Sequence, residues 1–335
     1  MTMGRLRTAV RTLADLDLAP EELLTHLNGQ VNRCHDQHGE DLAGMATGTT
    51  CVYAVFDAIS RSCAVARAGH PPPARVSADG RIDLLDVPGG PPLGPGGAPF
   101  ESGELALADG DILVLYTAGL LQPGGTEAGS RPNTAPLAGR LREALAEAVV
   151  APHPSRRAPG LDDICDHLVR RVVGDRPDDD VALLVVRVRG LPRDCYVTWD
   201  LEAVPENVGR ARALATGKLA EWGLAELGFT TELLVSELVT NAIRYGTPPI
   251  QLRLIRGHTL ICEVTDASST SPHIRRALET DEGGRGLFMV AQLSQLWGTR
   301  YHARGKTIWA EQPLPDSNSA DSPGAHPQTP HPHEP

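Results

Sequence analysis

The sequence predicts a two-domain protein, an α+β domain followed by an α/β domain. Three observations carry this. The chain has 335 residues, enough for two domains of ordinary size. Helix and strand patterns fall into two sets, one on each side of a short Gly- and Pro-containing stretch at 190–195. Hydrophobic residues make up 41%, so each set has the material to close over a core.

Composition bounds the function. The net charge is -11, which disfavours a polyanion as the main partner. Aromatic residues are only 4%, against a base-stacking surface, so no nucleic acid is expected. Cys34, Cys51, Cys63, Cys165, Cys195 and Cys262 form no C-x-x-C pair and no dense framework, and read as reduced, packing thiols. No signal peptide and no apolar run of transmembrane length is seen, so no membrane is expected and the location reads as cytoplasmic.

The chain opens on a helical pattern at 1–18, with Leu6, Val10 and Leu13 in phase. A second helix follows at 20–38, with Leu23, Leu24, Leu27 and Val31 inward. Cys34, His35 and His38 on it do not share one helical face and no second ligand cluster follows, so a metal is not expected there. Residues 49–56 alternate and are rich in β-branched side chains, and 62–68 is their hairpin partner. Residues 111–116 read as a buried strand, 136–149 and 161–173 as helices. The acidic run at 178–180 leads into another buried strand ending at Arg187.

Four stretches in this first set resemble the sporulation-type (SpoIIE) branch of the type 2C metal-dependent serine/threonine phosphatases. They are Ala68-Gly-His-Pro-Pro-Pro73, Gly90-Pro-Pro-Leu-Gly94, Leu115-Tyr-Thr-Ala-Gly-Leu120 and Asp179-Asp-Val-Ala-Leu-Leu184. The resemblance covers 1–189 and implies a phosphatase-like β-sandwich flanked by helices. Such enzymes use two divalent cations, Mn²⁺ or Mg²⁺, to activate water, and hard cations need converging carboxylates. By resemblance the family's first metal-binding Asp falls upstream of Met1, so the domain reads as truncated. The acid of the Tyr-Thr-Asp-Gly motif is Ala118 here, which has no donor atom. Asp179 aligns with the last ligand; it reads either as a remnant metal ligand or as an acidic turn before a strand. His70, set among glycine and prolines, reads as a turn residue. The module is therefore expected to be inactive. A misplaced start would not erase an internal ligand, so Ala118 favours decay.

The second set starts with a strand near 196–199 and a helix at 204–222, entered through Pro205 and Glu206. A longer helix follows at 232–245, with Leu234, Val235, Leu238, Val239, Ala242 and Ile243 at helical spacing. Glu237 and Asn241 stand one turn apart at the edge of that apolar face. A carboxylate beside an amide suits a hydrated cation whose other ligands are phosphates; the same pair also suits an ordinary amphipathic helix. Gly246 stops the helix. A hairpin follows around Arg256-Gly-His258, and its second strand, Ile261-Cys-Glu-Val-Thr-Asp266, ends in an acid. Asp281-Glu-Gly-Gly-Arg-Gly-Leu287 then opens an apolar helix expected over 287–296. Glycines at a helix start admit an anion to free N–H groups. Gly305-Lys-Thr mimics the end of a P-loop, but the upstream glycine is misplaced, so it reads as a tight turn between closing strands.

This order of features resembles the GHKL (Bergerat) ATP-binding domain and, within it, the bacterial anti-sigma-factor serine kinases. The resemblance covers 197–314, after a linker at 190–196. It implies a Bergerat α/β sandwich, a mixed sheet with helices on one face. It implies that ATP and Mg²⁺ are the cofactors, with Asn241 on the metal and Asp266 accepting from the adenine amino group. It also implies that Gly284 and Gly286 border the triphosphate, with Arg285 as the phosphate-reaching cation and Glu237 as the general base. Residues 268–281 would be a lid, where Arg275 and Arg276 reach phosphate or simply face solvent. The sequence departs from the family at Ser268, where glycine is usual, and at Tyr245, where His is common. The implied activity is transfer of the γ-phosphate to a serine of an anti-sigma-factor antagonist. A sigma factor is the other implied partner, and a homodimer is open. An active phosphatase regulated by its ATP-binding domain, or a non-catalytic ATP-binding scaffold, are the alternatives. The tail at 315–335 is rich in Pro, Ser and His and reads as disordered.

Overall fold

The computed structural model describes residues 3–38, 48–94, 98–120, 134–150, 160–173, 180–268, 286–302 and 305–315. The chain divides into two units, Met1–Pro192 and Arg193–Pro335.

In chain order the first unit contains α1 (Met3–Ala14), α2 (Pro20–His38), β1 (Cys51–Asp57), β2 (Ser62–Ala68), β3 (Ala74–Val76) and β4 (Ile82–Leu84). Then come β5 (Gly89–Gly90), β6 (Ser102–Ala106), β7 (Ile112–Tyr116), α3 (Thr134–Val150), α4 (Leu161–Leu168) and β8 (Leu183–Arg187). α2 starts on Pro20, whose missing N–H is no loss at a helix start, with Glu21 and Glu22 in the first turn. The β1–β2 hairpin pairs Asp57 with Ser62. Asp57 closes its turn by accepting from Ile59 N at 2.9 Å and Ser60 Oγ at 2.7 Å.

β2 shows how the layers form. Its residues alternate between two faces. Ala66 and Ala68 lie under α1 and α2, packed with Leu6, Leu23, Leu24, Leu27 and Val31. Cys63 and Val65 face the other way, onto Val87, Leu107 and Val188. A second sheet, in the order β4-β3-β7-β8, is covered by α3 and α4 through Val114, Tyr116, Leu141, Leu145, Ile164 and Leu168. The expected helix over 161–173 is α-helical only to Leu168, and Val169–Val173 is a π turn. Each sheet is thus covered by its own pair of helices, the flanking helices expected for this unit.

The second unit contains β9 (Tyr196–Leu201), α5 (Glu206–Glu221), α6 (Gly228–Tyr245), β10 (Ile250–Arg256), β11 (Thr259–Asp266), α7 (Gly286–Leu293), β12 (Leu296–His302) and β13 (Gly305–Pro313). The sheet order is β12-β13-β11-β10-β9. One core fills the space between this sheet and the helices, from Ala211, Ala215, Leu234, Val235, Leu238, Val239, Leu252, Leu254, Cys262, Val264 and Val290. The layering is the α/β sandwich expected. The sheet, expected to be mixed, is antiparallel in every adjacent pair. The reason is topological. Two helices separate β9 from β10, so the chain re-enters the sheet reversed. One helix separates β11 from β12, which makes those two parallel, but β13 is inserted between them.

α7 is shorter than the expected 287–296. Ser294 Oγ donates to Val290 O at 2.6 Å, and Gln295 N then joins Glu311 O at 2.8 Å, drawing the chain into the ladder of β12.

Candidate functional site

The candidate site lies at one end of the second unit, where α6, β11, α7 and β13 meet. α6 buries Leu234, Val235, Leu238, Val239 and Ala242. That fixes its rotation and leaves Glu237 and Asn241 half-buried at the rim. Gly246 ends the helix in extended backbone (φ −92°, ψ −174°), with its N–H on Ala242 O. The glycine serves close approach, not left-handed backbone: a Cβ there would stand 2.7 Å from Asp266 Cγ. The end of α6 is thereby held against Asp266.

Asp266 is the last residue of β11 and is 2% exposed. Its side chain is in phase with Leu260, Cys262 and Val264, so it faces the helices. Oδ1 accepts from Ser268 N at 2.8 Å and from Thr247 N at 3.3 Å. Lys306, directly across the strand pair, is 4% exposed. Its Nζ lies 3.3 Å from Oδ1 and 3.2 Å from Oδ2, and it also donates to Ser268 Oγ. Gly305 makes room for this. Its φ is +140°, and a Cβ on it would run into Asp266 O and Ala267 Cα.

Gly286 opens α7 and packs directly on Glu237: a Cβ added to it would collide with Glu237 Oε2. The candidate base and the glycine that starts the second helix are thus in contact. Asn241 stands one turn from Glu237 on the same helix, towards Gly246 and Asp266. Glu237, Asn241, Asp266 and Gly286 therefore fall in one region of the fold. Gly284 and Arg285 lie outside the described residues, as do Arg275, Arg276 and most of the expected lid.

Lys306 was not among the residues the sequence singled out; it was read as part of a turn. A signal for it exists. Counting back by twos from the apolar Ala310 and Ile308 puts Lys306 on the buried face of its strand. Tyr245, where the resemblance leads one to expect His, is 62% exposed.

In the first unit, the end of β7 lies beside the segment entering β8. Thr117 Oγ1 accepts from Ala182 N at 2.9 Å and lies 3.3 Å from Asp180 O. Ala118 begins the short 3-10 turn that follows. Asp179 lies outside the described residues. Among the described residues, no group of three or more His, Cys, Asp or Glu could hold a metal ion. Among the described residues there, Ala118 offers no donor atom where a two-cation centre needs oxygen ligands.

His70 sits near by. Its Nδ1 lies 3.1 Å from Thr50 Oγ1, and its carbonyl accepts from Arg67 Nη1 at 2.8 Å. Burial lowers the imidazole pKa below its ordinary value, a hydrogen bond with the Tyr116 backbone opposes this, and the Arg67 charge adds to the lowering. Burial pushes the Tyr116 hydroxyl up to about 12, opposed by Arg67. Among the described residues, no helix is long and apolar enough to cross a membrane.

The family model for Stage II sporulation protein E (SpoIIE) matches residues 1–189. The model for the histidine kinase-like ATPase domain matches residues 201–311. Among solved structures, the RsbU and RsbW domains of Rv1364c from Mycobacterium tuberculosis are 26% identical, over 93% of this chain and 79% of that one, with a TM-score of 0.44. The phosphatase domain of the cell fate determinant SpoIIE from Bacillus subtilis, presoaked with Mn, is 13% identical, over 58% of this chain and 78% of that one, with a TM-score of 0.35. The first family match spans more than half of the sequence and the second covers the site around Asp266. The chain belongs to the SpoIIE family, and its SpoIIE module is fused to a histidine kinase-like ATPase domain.

Proposed function

We propose that the protein is a partner-switching regulator whose ATPase-like domain binds Mg-ATP and phosphorylates a serine of a small protein partner. An anti-sigma-factor antagonist is the partner class that the resemblance points to. The observation that carries this is the convergence of Glu237, Asn241, Asp266 and Gly286 at one end of the second unit.

Each residue has a role its chemistry suits. The Asn241 amide oxygen is a hard ligand for Mg²⁺, with the nucleotide's phosphates and water supplying the rest. The cation, when bound, neutralises charge on the phosphates. Gly286 places the N–H groups that begin α7 where phosphate can be bound, and Gly284 and Arg285 precede it in the sequence. Asp266, an acceptor, takes the adenine amino group. Glu237 takes the proton of the attacking serine hydroxyl. The serine Oγ–phosphorus bond forms, the bond from the γ-phosphorus to the bridging oxygen breaks, and ADP leaves. Catalysis of this kind rests on positioning, which a helix backed by a core supplies.

Membership of the SpoIIE family favours a second reading, a metal-dependent phosphoserine phosphatase in the first unit. The missing donor at Ala118 weighs against it.

The test is calorimetric titration of the full chain with Mg-ATP. Binding is expected in the wild type and absent in Asn241→Ala, which loses the metal ligand from an intact helix. Glu237→Gln is expected to bind as the wild type does and to transfer no phosphate. Equal ATP affinity in Asn241→Ala would remove the metal assignment, and undiminished transfer in Glu237→Gln would remove the base. Mn²⁺-dependent phosphate release from a phosphoserine protein, with no ATP binding, would favour the second reading.

A further inference from the structure

The Lys306–Asp266–Ser268 cluster joins two sequence features that looked unrelated. One is Ser268, where the resemblance leads one to expect glycine. The other is Lys306, read as part of a turn. In the structure both close on the carboxylate that the proposed function gives to adenine. An ammonium has three N–H groups. Asp266 Oδ1, Asp266 Oδ2 and Ser268 Oγ take all three. Acid, base and hydroxyl are each more than nine-tenths buried. Lys306 has no donor left for a ligand, so whatever it does to a nucleotide it does through Asp266.

The two oxygens of Asp266 are unequally occupied. Oδ1 accepts from the N–H groups of Ser268 and Thr247 and from Lys306. Oδ2 meets Lys306 alone among the described residues, at 3.2 Å. Oδ2 therefore keeps acceptor capacity for the amino group of adenine. Its charge, however, is already paired. A donor gains more from an unpaired ionised acceptor than from one that an ammonium has neutralised. Without Lys306 the empty site would hold a buried carboxylate short of a counter-charge, which is costly, and adenine would relieve part of that cost on binding. With Lys306 the cost is relieved before any nucleotide arrives. The same contact that keeps the empty site stable makes adenine's contribution smaller.

We propose that Lys306 is an affinity-determining residue: its ion pair with Asp266 weakens the hold of the site on adenine nucleotides, ATP and its product ADP alike. The inference rests on the nucleotide-binding reading above and concerns that same site.

The experiment titrates the full chain with Mg-ATP and Mg-ADP, in the wild type, Asn241→Ala, Lys306→Met and Lys306→Gln. Lys306→Met is expected to bind ATP about fivefold more tightly than the wild type. That is the difference between a hydrogen bond to a charged group and one to a neutral group. ADP presents the same base and is expected to gain by the same factor. Lys306→Gln removes the charge and keeps N–H donors beside the buried carboxylate, so it serves if Lys306→Met does not fold; its affinity is expected to rise as well, by less. A variant that is merely damaged, or one that has lost a group holding Asp266 in place, would bind more weakly. Unchanged or weaker binding in the folded variants therefore overturns the proposal, and so does a gain confined to ATP, which would place the effect at the phosphates. Wild-type binding that depends on Asn241 but does not tighten in either Lys306 variant defeats this inference alone. Absence of binding for both nucleotides in every protein defeats the nucleotide reading itself, and this inference with it.

Discussion

Gly286 is the residue on which the candidate chemistry turns most sharply. Its missing side chain lets the Glu237 carboxylate lie against the start of α7. In Gly286→Ala the methyl group meets the far end of a flexible side chain, so Glu237 swings aside and the backbone stays. The melting temperature is expected to remain within about 2 °C, since a surface-accessible adjustment costs little. ATP turnover is expected to fall about a hundredfold, the usual consequence of misplacing a reacting group by an ångström. Thermal melts and steady-state turnover on one preparation check both. His70 gives a second prediction at this scale. Burial lowers its pKa in the folded chain, so below the ordinary value of 6.5 the unfolded chain binds the proton first. The stability that neutral His70 supports is therefore present above pH 6.5 and declines as the pH falls below it. Urea unfolding at pH 7.5 and pH 5.5 should show this decline, reduced in His70→Gln.

α6 is the element that the sequence disclosed best, because a helix carries its evidence locally. The apolar residues at 234, 235, 238, 239 and 242 are all buried, and that rotation alone sets where Glu237 and Asn241 stand. Leu238 is fully buried in the core. Leu238→Ala is expected to cost about 2–5 kcal/mol of stability, measurable by denaturant titration. The strands were legible as strands and hairpins, as at β1–β2 and β10–β11, where short turns join the partners. The pairing of β13 with β11 was not. Lys306 and Asp266 are 40 residues apart in sequence, with α7 and β12 between them. Only the register of a non-local strand pair brings them together, and no local pattern encodes which distant strand will be the neighbour. The same limit hid the antiparallel character of the whole sheet.

At the scale of the molecule, each unit carries its own cores. The cluster containing Leu234, Leu238 and Val264 lies wholly within 193–335, and that containing Leu141, Leu145 and Ile164 within 1–192. The two-domain organisation was readable because apolar patterning stops and restarts around 190–195. Separate cores predict separable responses. Leu238→Ala should lower one step of a thermal or urea transition, and Leu145→Ala the other, each leaving its neighbour within error. Calorimetric scans of the two variants against the wild type check this; a single transition shifted equally by both would contradict it.

β13 has a further consequence. Its inward row is Lys306, Ile308, Ala310, Gln312, polar at both ends and apolar between. Opposite stand Asp266, Val264, Cys262 and Leu260. At the far end Gln312 Nε2 donates to Thr231 Oγ1 of α6 at 2.9 Å, as Lys306 meets Asp266 at the near end. Sliding the strand by two residues would keep the apolar side chains inside, yet set the ammonium against Val264 or strand the amide without Thr231. A buried unpaired charge is far costlier than a poor apolar fit. The two polar ends thus work as the notches of a key: they add little to how strongly the strand is held, and they decide the one alignment in which it closes.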